Sequence, residues 1–217
     1  MKFTKLTACI LAIATATGAM SALGANSAFS LGFGLQYWDA KDASKFDKDG
    51  FGGCNMVARL QADKYLGIDF RLGASGIWDG KTYHVDGKKY ESDVTFTCVP
   101  VEAGLVLMAP INNSITLYGG PGVGYYHYDL DVEVSRKHGH HYHREWDRHY
   151  SLDDDFGWYA VAGLTVRLTT HVSLFGEARY TDTETSLKHD DSVEFDCSGF
   201  GGQIGLMFDF SSIALAQ

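Results

Sequence analysis

In the stretch "FSLGFGLQYW" (29–38), Phe29, Leu31, Phe33, Leu35 and Tyr37 alternate with Ser30, Gly32, Gly34 and Gln36. A side-chain period of two is that of a β-strand. The same pattern predicts a strand over 54–62, with Met56, Ala58 and Leu60 opposite Asn55, Arg59 and Gln61. A third covers 67–78, with Ile68, Phe70, Leu72 and Trp78 opposite Asp69, Arg71 and Ser75. Further strands are predicted at 93–108, 114–128, 156–168, 172–182 and 194–210, which makes eight in all.

The connections between these strands alternate between long and short. "DAKDASKFDKDG", "DGKTYHVDGKKYES", the insert 129–155 and "TDTETSLKHDDSV" are long, whereas "DKY", "APINN" and "TTH" are short. A soluble sandwich has no reason to gather its long loops at one end. An outer-membrane barrel does, with short periplasmic turns and longer extracellular loops. The fold class this predicts is all-β, an eight-stranded antiparallel up-and-down transmembrane β-barrel with four long extracellular loops.

The polar face of the strands tells this barrel from a lipocalin-like soluble one, whose interior is apolar. Here Arg59, Asp69, Arg71, Glu102, Arg167, Glu177 and Arg179 share the face opposite the apolar side chains. Charges in that number cannot sit unpaired in a dry core. They can fill a narrow lumen as ion pairs, so the polar face is expected to point inward and the apolar face toward lipid. Tyr37, Trp38, Trp78, Tyr125, Tyr126, Tyr128, Trp158 and Tyr180 lie near strand ends, where interfacial aromatic girdles belong.

The start of the chain carries Lys2 and Lys5, then an apolar run from Leu6 to Ala16, then small residues up to Ser27. That is the layout of a secretory signal peptide, expected over 1–27 with the barrel domain over 28–217. "LTAC" (6–9) resembles a lipoprotein cleavage box, but almost no apolar segment precedes Cys9. Loss of the two lysines takes the formal charge from −9 to −11, which argues against nucleic acid as a partner. Cys54, Cys98 and Cys197 remain, too few and too scattered for a disulfide framework. Parity turns Cys54 outward and the other two inward on strands expected to lie across the barrel, so free thiols are expected.

"ITLYGGPGVGYYHY" (115–128), "GWYAVAGLTVRLTTHVSLFGEARYTDT" (157–183) and "GFGGQIGLMFDF" (199–210) resemble the eight-stranded outer-membrane β-barrel family of opacity-like and porin-like surface proteins. The resemblance implies residence in the bacterial outer membrane among lipid and lipopolysaccharide. It also implies insertion by the barrel-assembly machinery, which reads an aromatic-ended last strand. Phe208 and Phe210 fit that signal, although "SSIALAQ" follows them.

Little chemistry stands out beyond this. His171-x-Ser173 has the spacing that puts a base and a nucleophile on one face of a strand, as in barrel enzymes that deacylate lipid A, but it falls at a short periplasmic turn. Glu102, Glu177, Arg59 and Arg179 are expected to be structural ion pairs rather than acid–base machinery. "FDKDGFG" (46–52) only echoes a calcium loop. No cofactor is implied. The insert 129–155 holds His138, His140, His141, His143 and His149. They are candidate zinc ligands if the loop folds back, because neighbouring pairs have opposite parity. With eight acids and four Lys or Arg the insert carries −4, and protonation of all five histidines takes it to +1. The function expected is a non-enzymatic barrel with a structural or surface-recognition role, its loops facing a host or surface ligand. The alternative is a narrow channel or transport protein for small or apolar solutes, and a lipid A hydrolase is a distant third.

Overall fold

The computed structural model describes residues 28–46, 50–85, 88–138, 141–188 and 190–211. The signal segment expected over 1–27 lies outside them. Among the described residues there are eleven strands: β1 (Ala28–Ala40), β2 (Phe51–Gln61), β3 (Leu66–Val85), β4 (Lys88–Pro110), β5 (Ile115–His138), β6 (His141–Ser151), β7 (Asp155–Arg167), β8 (Val172–Asp182), β9 (Glu184–Leu187), β10 (Asp190–Asp196) and β11 (Gly199–Ser211). β1, β2, β3, β4, β5, β7, β8 and β11 pair in that order, all antiparallel. β11 then pairs with β1, from Phe29 opposite Phe210 to Ala40 opposite Gly199, and closes an eight-stranded barrel. No described helix is long and apolar enough to cross a membrane; the crossing is made by strands.

The wall follows the period-two pattern. Phe33, Leu35, Leu107, Val123, Phe156 and Ile204 face outward, with Phe156 80% exposed, while Ser30, Asn55, Arg59, Asp69 and Glu102 are buried inside. An exposed apolar belt over a charged interior is stable only when lipid, not water, surrounds it. One end of the barrel is made of three tight turns built alike. Asp63 Oδ1 accepts the backbone N–H groups of Tyr65 and Leu66, Asn112 Oδ1 those of Ser114 and Ile115, and Thr169 Oγ1 those of His171 and Val172. In each, a short side-chain oxygen satisfies donors that the turn leaves unpaired.

The opposite end departs from the predicted loops. β1, β2, β7, β8 and β11 have 11 to 13 residues, about what a tilted crossing needs, whereas β3, β4 and β5 have 20, 23 and 24. At about 3.3 Å per residue, β5 alone reaches about 80 Å. The predicted loops 79–92 and 129–155 are therefore mostly strand, and β3, β4, β5 and β6 rise together beyond the barrel. The strand predicted at 194–210 is split: β10 hairpins with β9, and the wall strand begins at Gly199.

Three aromatics assigned to the girdle are inside instead. Trp38, Tyr126 and Tyr128 are buried in the upper lumen, because Trp38 and Tyr128 have the parity of Ser30 and Tyr118. Trp38 packs on Phe51 (ring centroids 5.3 Å), Phe51 on Phe96 (5.3 Å), and Phe96 on Tyr128 (5.8 Å) and Phe195 (5.7 Å). The girdle itself contains the stack Trp158–Tyr180–Phe200, with Tyr125 against Phe156. All three described thiols are free, Cys54 exposed and the other two buried. Cys98 and Cys197 do not stand on opposite sides, however. Both lie in the upper aromatic cluster, because the link between β10 and β11 folds inward over the mouth.

Candidate functional site

Three arginines and three carboxylates fill the middle of the lumen, carried there by inward-facing positions of β2, β3, β4 and β8. Arg59 donates from Nε and Nη2 to the two oxygens of Asp69, at 2.7 and 2.9 Å. Arg71 donates to Asp69 Oδ2 at 2.9 Å and spans the lumen to both oxygens of Glu177. Arg179, on β8, forks onto both oxygens of Glu102 on β4. Every oxygen of the three carboxylates thus accepts from an arginine, and the six charges cancel. Fork-on-carboxylate pairing of this kind is the strongest hydrogen bonding available to a buried charge.

Tyrosines complete the layer, and the reading of charges alone had missed them. The Tyr118 hydroxyl donates to Glu177 Oε2 and the Tyr126 hydroxyl to Glu102 Oε1, both at 2.8 Å. The Arg59 guanidinium lies 4.1 Å from the Tyr118 ring centre. Tyr159 joins the two halves, with Arg71 at 5.6 Å and Arg179 at 4.7 Å from its ring. The signal for these residues is in β5, where the inward face runs Tyr118, Gly120, Gly122, Gly124, Tyr126. The glycines make the room: a Cβ on Gly104 would come within 2.5 Å of the Tyr159 hydroxyl, and one on Gly124 within 2.8 Å of Glu102 Cγ.

Arg167 shares the parity of this set but not its place. It ends β7 beside a turn, is exposed, and makes no ion pair among the described residues. It lines a small polar vestibule at the short-turn end with Arg59, Thr165, Ser173 and Asp209. The His171–Ser173 pair is not assembled as base and nucleophile. The Ser173 hydroxyl donates to Asp209 Oδ2 at 3.3 Å, beside Ser30 at 2.6 Å on the other oxygen, while the His171 ring lies 3.4 Å from the Asp209 carbonyl oxygen. Phe208 and Phe210 face outward on β11, Phe210 with its ring 5.8 Å from that of Phe29.

Of the histidine-rich insert, His140 and the side chains of His138, His141 and His143 lie outside the described residues, as do residues 47–49 of the calcium-like stretch. His149 is described, and its ring nitrogens face carboxylates: Nδ1 is 2.7 Å from Asp131 and Nε2 3.5 Å from Asp129. Among the described residues no group of three or more His, Cys, Asp or Glu is arranged to hold a metal ion.

Comparison with known proteins agrees with this architecture. The chain is similar in structure to the outer membrane protein OprG from Pseudomonas aeruginosa (14% identity, TM-score 0.57, covering 86% of this chain and 97% of that one). It is similar also to Neisserial surface protein A (11% identity, TM-score 0.52, 84% and 97%) and to a major outer membrane protein from Thermus thermophilus (11% identity, TM-score 0.50, 85% and 99%). At these identities the likeness is one of fold. No curated protein matches by sequence. The family model described as the outer membrane protein beta-barrel domain matches residues 7–211, nearly the whole sequence. The chain belongs to the outer membrane protein β-barrel family and is a protein of the bacterial outer membrane.

Proposed function

We propose that this is a non-enzymatic barrel that works at the cell surface through its strand extension, not through its lumen. The observation that carries the reading is the double closure of the lumen. The charge-balanced layer of Arg59, Asp69, Arg71, Glu102, Glu177 and Arg179 fills the middle, and the cluster of Trp38, Phe51, Phe96, Tyr128 and Phe195 fills the upper mouth. With every oxygen of Asp69, Glu102 and Glu177 engaged by arginine, none of these three carboxylates is left free to act as a general base. The partners that fit are lipopolysaccharide and outer-membrane lipid around the apolar belt, the assembly machinery reading Phe208 and Phe210, and a surface or host ligand at the β3–β6 extension. Planar-bilayer recording tests the reading: silence is the expected outcome, and steady unitary conductance steps would overturn it.

One observation supports a second reading, the passage of small apolar solutes through the wall. Backbone pairing of β4 with β5 is broken between Gly104–Gly122 and Leu107–Gly119, where Pro121 has no N–H to offer. An apolar groove lined by Ile68, Leu105, Pro121, Val123 and Trp158 lies over the break. Uptake of a small apolar dye into proteoliposomes, parent against Pro121→Val, separates the two readings: equal rates speak against the wall route.

A further inference from the structure

Where the charged layer meets the aromatic cluster, the lumen is lined by uncharged polar side chains. Gln203 on β11 stands between Glu177 on β8 and Gln36 on β1, and Asn55 on β2 donates from Nδ2 to Gln36 Oε1 at 3.2 Å. Trp38 follows Gln36 on the same inward face of β1, and Ser75 on β3 is a diagonal neighbour of Asn55. None of Trp38, Gln203, Asn55 and Ser75 is more than 8% exposed. Yet Trp38 Nε1 and both amide atoms of Gln203 find no hydrogen-bond partner among the described residues, and neither do Asn55 Oδ1 and the Ser75 hydroxyl further round the same level.

A buried polar group without a partner costs at least as much as a hydrogen bond gains, and native interiors hold few of them. Five such atoms at one level would consume much of the stability of a domain. They also border a space that a partner can fill. Gln36, Trp38, Thr181 and Gln203, with Pro100 and Arg179, line a cavity of about 20 Å³. That is room for one water molecule and for nothing larger. Chemistry narrows the occupant in the same way. An indole N–H only donates, whereas an amide both donates and accepts, so the occupant must be able to do both. Arg179 is the one charged group in the lining, and Glu102 already balances it, so an ion would enter without a counter-charge. The occupant that fits is small, neutral and both donor and acceptor.

We propose that this cavity is a binding site for one water molecule, held between the Trp38 indole N–H and the Gln203 amide, and that the water joins the two closures of the lumen. On one side it accepts from Trp38, which belongs to the aromatic cluster. On the other it meets Thr181, whose Oγ1 accepts from Arg179 Nε at 2.8 Å and whose own O–H is left to donate. Arg179 in turn forks onto Glu102. A continuous run of hydrogen bonds thus connects the aromatic cluster to the charged layer. The site lies inside the barrel and does not depend on what the extension binds.

A crystal structure of the full protein, at a resolution that shows ordered water, reads the site directly. A density peak should lie about 2.7–3.2 Å from both Trp38 Nε1 and a Gln203 amide atom. A direct bond between the two side chains, or a map without that peak, would overturn the proposal. Substitution supplies an independent test through its sign. Gln203→Met keeps the length of the side chain and removes both amide atoms. With the water bound, the change takes away one of its partners and strands the indole N–H, so the unfolding equilibrium in lipid vesicles should shift about fivefold toward the unfolded state, the worth of one net hydrogen bond. The peak should also be gone from the map of the variant. Were the amide instead unpartnered in the parent, its removal would relieve a penalty and the folded state would gain. A variant that keeps the heat-dependent shift in electrophoretic mobility and is as stable as the parent, or more so, therefore refutes the site.

Discussion

Substitution of Glu102 by Gln keeps shape and removes one charge, and its consequence follows from what is left around Arg179. That guanidinium would retain the Thr181 hydroxyl at 2.8 Å, the Tyr126 hydroxyl at 3.3 Å and the face of the Tyr159 ring at 4.7 Å, but no carboxylate. Its side chain is only 13% exposed, so water cannot replace the lost anion. Breaking one side of a buried pair costs about 3–5 kcal/mol. Glu177→Gln is the informative contrast, because Arg71 keeps Asp69 at 2.9 Å. Its cost should fall to about 1.5–3 kcal/mol, that of hydrogen bonds to a charged group. Adding Arg179→Met to Glu102→Gln removes the stranded charge and should bring stability back to within about 1–2 kcal/mol of the parent. Urea unfolding in lipid vesicles, followed by tryptophan fluorescence and compared at constant slope, measures all four proteins. The reasoning is refuted if Glu102→Gln lies within about 0.5 kcal/mol of the parent, below the cost of any buried charge-pair loss. It is equally refuted if Glu177→Gln is the more damaging change, or if the double variant is no better than Glu102→Gln.

Two further outcomes are expected. Of Cys54, Cys98 and Cys197, only Cys54, on the lipid face opposite Leu35, should react in the folded protein with an apolar maleimide that partitions into detergent, and all three should react after boiling, since Cys98 and Cys197 are buried in the upper cluster; labelling of all three in the folded state would mean that the mouth is open. Gly122→Ala should destabilise the barrel by about 1–3 kcal/mol, because the new methyl would overlap the Tyr159 ring, while Gly52→Ala, which meets nothing within 4 Å, should be close to neutral; equal unfolding midpoints for the two would show that Tyr159 is not packed where it stands.

The wall was legible from alternation because lipid and lumen impose opposite demands on successive residues. Beyond the girdle that contrast fades, and the pattern weakens while the backbone pairing continues. Asp79 faces Val94, Lys81 faces Ser92 and Tyr83 faces Tyr90 across β3 and β4, a ladder held by hydrogen bonds with no apolar side to advertise it. On β5 the signal did persist: "DLDVEV" sets Leu130, Val132 and Val134 against Asp129, Asp131 and Glu133, and it lies inside the segment assigned to a loop. The length of that insert obscured its alternation.

Parity says which face a residue takes and nothing about its height along the axis, which explains the inclusion of Arg167 in the charged set; nearness to a strand end gives height and not face, which explains the assignment of Trp38, Tyr126 and Tyr128 to the girdle although their parity turns them inward. Pairing within the set was hidden for another reason. Arg71 and Glu177 are 106 residues apart, and Arg179 and Glu102 are 77 apart, so no local spacing links them. They meet because β3 and β8, though not neighbours in the ring, face one another across a lumen narrow enough for side chains to span. Arg59 and Asp69, on adjacent strands, are opposite one another in register and would meet in an open sheet as well. Closure of β1 on β11 therefore adds the cross-lumen contacts, Arg71 with Glu177 and Arg179 with Glu102, to a sheet that already holds the neighbouring one. Before closure Arg71 stands opposite Glu102 on β3 and β4, and Glu177 lies two residues from Arg179 on β8; closure desolvates them and exchanges these neighbours for the cross-lumen pairs. The charged layer is thus a test of correct closure, since a slip of β8 by one residue would turn Glu177 and Arg179 toward lipid and break both cross-lumen pairs at once.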